Sequence, residues 1–228
     1  LTIAFTLMVS TGIQIKLYGQ NVGIGITAPL DILHIKGIMR IDSGRINFVN
    51  TGQSIFIGHN AGITDNYSNN RNVFIGEEAG MQNISGEDNI AIGANAFTNG
   101  TVANNNISIG KNALTSDTTG NENIAIGTYA LDVNQSGHQN VAIGVEALGD
   151  IHSTSGNTAI GTKAGQYLDG TLNTLIGYEA GRDAVGNGNI FIGPQSGLSF
   201  NGSNKLFISN VETPDPLIYG DFESGKVV

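Results

Sequence analysis

A five-residue phrase, Asn-[Ile/Val/Thr]-x-Ile-Gly, returns about every 17 residues through most of this chain. It stands at residues 72–76, 89–93, 106–110, 123–127, 140–144, 157–161, 173–177 and 189–193. Degraded copies precede it at 54–58 and follow it at 205–209. The glycine-to-glycine steps are 18, 17, 17, 17, 17, 17, 16 and 16. A fixed short period means one supersecondary unit stacked on copies of itself, so the repeat constrains the fold more than any single motif.

With the Ile-Gly glycine as position 0, each column of the alignment has its own chemistry. Positions −3 and −1 are mostly β-branched, as in Ile124 and Ile126 or Val141 and Ile143. This period-two alternation marks a short strand with one buried face, and −3 and −1 are expected to point inward. Position +3 is small (Ala61, Ala79, Ala96 and onward to Ser196), and +4 is Leu, Phe or Gly. The stretch from +5 to −5 is rich in Asn, Ser, Thr, Asp and Gly and varies in length, which reads as an outward loop. One to three Gly and several Asn per unit disfavour helix. The expected fold is all-β: a parallel β-solenoid, or β-roll, of about ten coils of 16–18 residues.

Position −4 is Asn in eight of ten copies: Asn72, Asn89, Asn106, Asn123, Asn140, Asn157, Asn173 and Asn189. Such a column is either a run of turn formers or an in-register amide ladder between coils. Its near-invariance favours the ladder, and both roles are structural. Position −2 reads Phe56, Phe74, Ala91, Ser108, Ala125, Ala142, Ala159, Leu175, Phe191 and Phe207, without a charge. If −3 and −1 face inward, −2 faces outward. An outward column this apolar is expected to be an interchain face.

Bulk composition narrows the function. A formal charge of −9 with only 10 basic residues disfavours nucleic acid and anionic membranes as partners. The absence of cysteine removes disulfides and thiol chemistry. His34, His59, His138 and His152 fall in different registers, and no acid or base holds one register throughout the repeat. No catalytic, cofactor or metal site is therefore expected, and the chain is not expected to be an enzyme. Residues 1–20 open with an apolar run and resemble the core and cleavage zone of a secretory signal, an N-terminal strand being the other reading. The run is too short and interrupted to span a bilayer. The remaining divisions expected are a β entry segment at 21–50 with strands at 38–41 and 45–48, the repeat domain at 51–209, and a β exit segment at 210–228. The chain is expected to continue beyond Val228.

The phrase Gly-x-x-Asn-[Ile/Val]-Ala-Ile-Gly-x-x-Ala, clearest at 120–130 and 137–147, resembles head repeats of YadA-like trimeric autotransporter adhesins. The resemblance covers about residues 52 to 209 and implies a parallel β-roll with three chains side by side. The unit here is longer and its Asn directly precedes the strand, so it looks more like repeats of Bacteroidetes-type surface proteins and phage tail fibres. Residues 21–37 and 216–222 resemble flanking elements of those proteins.

These readings together describe a secreted, cell-surface structural or adhesive fibre. It would be a stiff shaft or head presenting multivalent loops and would need no cofactor. Its expected partner is itself, as a homotrimer joined through −2 or as an end-to-end polymer. A host surface or glycan receptor is a further expected partner. Two alternatives remain at this level. One is a phage or injection-system tail fibre with a glycan-binding face, for which Tyr67, Tyr129, Tyr167 and Tyr178 are candidates although they share no register. The other is a self-assembling extracellular filament.

Overall fold

The computed structural model describes residues 22–24, 33–35 and 53–227, apart from 67, 213 and 214. The expected signal segment, the strands at 38–41 and 45–48, and Tyr67 lie outside the described residues. The chain divides into two units, Leu1–Asn47 and Phe48–Val228. In the first, β1 (Val22–Ile24) pairs in parallel with β2 (Leu33–Ile35).

The second unit is a solenoid of about nine turns, and the described residues contain no helix. Ten three- or four-residue strands stack in sequence order: β3 (Ile55–Ile57), β4 (Val73–Ile75), β5 (Ile90–Ile92), β6 (Ile107–Ile109), β7 (Ile124–Ile126), β8 (Val141–Ile143), β9 (Thr158–Ile160), β10 (Thr174–Ile176), β11 (Ile190–Ile192) and β12 (Lys205–Ile208). All neighbours among them pair in parallel, and each residue meets its repeat equivalent, as Ala125 meets Ala142. Beyond β12 the direction changes. Strands β13 (Ile218–Asp221) and β14 (Lys226–Val227) continue the same sheet in antiparallel fashion.

Between strands the chain turns at fixed corners. Positions +2, +4 and −5 adopt left-handed backbone in coil after coil, for example Tyr129 (φ 58), Leu131 (φ 50) and Gln139 (φ 58). The position 0 glycine is required for two reasons. Its φ is near 135° in most coils, and a Cβ on Gly127 would lie 2.4 Å from the carbonyl oxygen of Gly144, a space only glycine leaves open. The turn also bonds along the axis, the +4 amide donating to the +3 carbonyl of the next coil, as Leu131 N–H does to Ala147 O (3.1 Å). The segment from +5 to −5, expected as an outward loop, bonds along the axis as well, as Gln135 N–H does to His152 O (2.7 Å), and is thus partly a second wall of the coil.

The interior between strand and turn is filled by positions −2, +3 and +4. Ala91, Ala125, Ala142, Ala159, Phe74, Leu175 and Phe191 at −2 are all fully buried, as are Phe97, Leu114, Leu131 and Leu148 at +4. The expectation that −3 and −1 point inward is corrected here, because the Ile-x-Ile pair forms the outer face of the sheet. The physical reason is the thinness of the coil. Where −2 is Phe, +4 is Gly, and a Cβ on Gly80 would lie 2.4 Å from the Phe74 ring. Where −2 is Ala or Ser, +4 is Leu or Phe. One large side chain fits across the gap, and a pair of isoleucines at −3 and −1 does not. Ala159 and Gly165 are both small, and there Leu148 and Leu175 of the adjoining coils close the space.

Candidate functional site

The residues that could carry function fall into a buried amide column and two outer surfaces. The amide column is the −4 asparagine row, which sits just before each strand and is fully or almost fully buried from Asn72 to Asn189. Each backbone N–H donates to the Oδ1 of the preceding asparagine, as Asn140 does to Asn123 (3.0 Å) and Asn157 to Asn140 (3.0 Å). Each Nδ2 donates to a carbonyl on the return segment of the next coil, such as Asn123 to Gly137 O (2.8 Å). The row begins on the Ser54 hydroxyl, which accepts from Asn72 N–H, and ends with Lys205 N–H donating to Asn189 Oδ1. Both amide functions are occupied, so the row welds coils together and offers no free atom to a ligand.

Beside it lies a column that was not singled out in the sequence. Position +7 reads Asp65, Asn83, Gly100, Asp117 and Asn134, then Ile151, Leu168, Ala184 and Phe200. The interior therefore changes from polar to apolar halfway along the solenoid. Asp117 is fully buried, and its carboxylate accepts from Gly120 N–H and from the Nδ2 atoms of Asn123 and Asn134. Burial pushes its pKa up to about 6 against the pull of those donors. Among the described residues, no group of three His, Asp or Glu side chains is placed to hold a metal ion.

The first outer surface is the strand row. Positions −3 and −1 of β3 to β12 hold Ile, Val, Leu and two Thr, and −1 is Ile in all ten strands. Ile57, Ile92, Ile143, Ile160 and Ile176 are between 36% and 51% exposed, and no charged side chain interrupts the two rows. The residues expected at the interchain face, from Phe56 to Phe207, are instead packed inside a single chain. Their aromatic members cluster at the two ends of the interior, with Phe56 stacked on Phe74 (5.5 Å) and Phe207 against Phe191 (5.2 Å). The second outer surface is the turn beyond position 0. There Tyr129 and Tyr167 line one shallow groove although they occupy different registers. Tyr178 is also half exposed but does not line it.

No protein-family model, curated protein or solved structure matches the chain.

Proposed function

We propose that this chain is a structural subunit of a surface fibre, whose copies pack side by side through the outward isoleucine rows. The observation that carries this reading is the uninterrupted apolar strip formed by −3 and −1. Ten strands about 4.8 Å apart, each about 10 Å long, project a face of roughly 480 Å². A strip of this size is comparable to the largest contiguous apolar patches that monomeric proteins expose, about 300–600 Å², and such patches are often interaction sites. The strip continues beyond β12, where Val211 and Leu217 line an apolar groove with Ile192 and Ile208, Leu217 being 85% exposed.

A second copy is the occupant that such a strip suits best. Its repeat along the axis is that of another solenoid, so isoleucines of one chain meet the spaces between isoleucines of its neighbour at every coil. Parallel association about a common axis keeps every coil in register and closes the assembly, leaving no apolar face over. Three chains is the number implied by the resemblance to trimeric adhesin heads. The charged and polar side chains at −5, such as Arg71, Asp88 and Glu122, then form the wet rim. In this reading the role is mechanical: repetition provides stiffness, and several copies of each surface group provide avidity.

The reading is tested by placing lysine on the strip. Ile109→Lys together with Ile126→Lys should leave the β-sheet circular dichroism unchanged and reduce the sedimentation coefficient to that of a single chain. Retention of the assembled species by this variant would rule the strip out as the contact.

A further inference from the structure

The turn side of the solenoid carries a groove of about 280 Å³, formed by three successive coils. Tyr129 and Tyr167 line it, 37% and 49% exposed, together with Asp132, Asp150, Glu146 and Gln166. Its volume is just below the roughly 300–1,000 Å³ usual for small-molecule sites, which suits a ligand of one or two rings. The two tyrosines come from coils two steps apart, about 10 Å along the axis at the usual strand spacing. No other described coil repeats this set, since +2 is elsewhere Asn, Glu, Lys or Gln.

We infer that this groove binds a neutral saccharide of one or two rings. A pyranose has an apolar C–H face and a rim of hydroxyls. Tyrosine offers the matching flat apolar surface with a polar tip, at a small conformational cost. Side-chain carboxylates and amides next to such rings supply the hydroxyl partners. Glu146 is already committed, accepting from Gln166 Nε2 at 2.6 Å with Lys163 Nζ at 3.6 Å. That contact fixes one wall of the groove. Asp132, which also accepts from the Thr115 hydroxyl, and Asp150 are the further carboxylates lining it, close enough that the Asp150 charge adds to the burial that raises the Asp132 carboxyl above its ordinary range against that hydrogen bond. Two neighbouring carboxylates repel uronic and sialic acids, which makes the site selective for uncharged sugars.

Tyr129 occupies a left-handed corner (φ 58) that Asn, Glu, Lys or Gln fills in the other described coils, so this coil alone places an aromatic ring there. The groove lies on the turn and not on the strand rows, so this inference stands whether or not the chains associate.

The test is saturation-transfer NMR on the whole chain with lactose, maltotriose, cellotriose, chitotriose, 3′-sialyllactose and choline as probes. The expected result is transfer to at least one neutral sugar and none to the sialylated one. Binding should weaken about ten-fold or more in Tyr167→Ala and in Tyr129→Asn. The asparagine variant keeps a residue suited to the corner, and unchanged circular dichroism verifies both folds. The inference is overturned by transfer to no neutral sugar, by binding that survives both substitutions, or by a response to choline alone.

Discussion

A single asparagine in this solenoid serves three coils. Asn140 donates its N–H to Asn123 Oδ1, accepts from Asn157 N–H (3.0 Å) and donates through Nδ2 to Thr154 O (2.9 Å). Asn140→Ala leaves the buried Asn157 N–H without its acceptor, a loss of about 1–3 kcal/mol, and the part-buried Thr154 carbonyl without its donor, a loss at the low end of that range. Urea unfolding should show a loss of about 2–4 kcal/mol, larger than truncation of an exposed side chain. Asp117 makes a different prediction, because its folded pKa lies near 6, above the unfolded value near 4. A raised pKa means that the folded state holds the proton more tightly. The contribution of this group is therefore fully present below about pH 4 and is lost as pH rises through 6. The loss is of order 3 kcal/mol. Asn134 shows how an amide fits the same register, its Oδ1 accepting from Gly137 N–H (3.0 Å) and its Nδ2 donating to Gly137 O (3.2 Å). Asp117→Asn should therefore unfold at higher urea than the parent at pH 8. That advantage should shrink or reverse at pH 4. An equal difference at both pH values would show that the buried carboxylate does not titrate in this range.

Apart from the coil of Ala159 and Gly165, each coil from β3 to β11 is a two-walled element whose interior holds one large side chain, placed at −2 or at +4. Ala125→Phe inserts a second large group opposite Leu131, and overpacking of this kind costs about 1–3 kcal/mol. Leu131→Gly alone empties a fully buried site, which costs about 2–5 kcal/mol. Combined, they recreate the Phe74–Gly80 arrangement, and the double variant should recover most of the lost stability in a double-mutant cycle. Simple additivity would contradict reciprocal packing across the coil. The same pair of columns explains what was legible in the residues. The period located the strands, and the polar composition of the units excluded helix. The alternation at −3, −2 and −1 showed that the two sheet faces differ, but not which of them is inside. Size and branching suggested the isoleucines, whereas the compensating sizes of −2 and +4 carried the answer. Position +7 went unread because it lies in the stretch that changes length and looks like loop. Tyr129 and Tyr167 were legible as candidates for a glycan-binding face, but not as lining one groove, because they occupy different registers two coils apart and share it only once the coils are stacked.

The solenoid of the described residues carries an apolar strip along its strand side, and beyond β12 its parallel stacking gives way to a different kind of pairing. At the C-terminal end of the described residues, antiparallel β13 and two-residue β14 replace the parallel register, and Tyr219 packs on Phe207 (5.6 Å). The direct test of lateral assembly is the solution mass of the chain by multi-angle light scattering over a range of concentrations. A mass of three times the 23.7 kDa chain is expected, persisting on dilution. A single 23.7 kDa species at every concentration would contradict assembly through the isoleucine rows and leave a solenoid that keeps its apolar side in water.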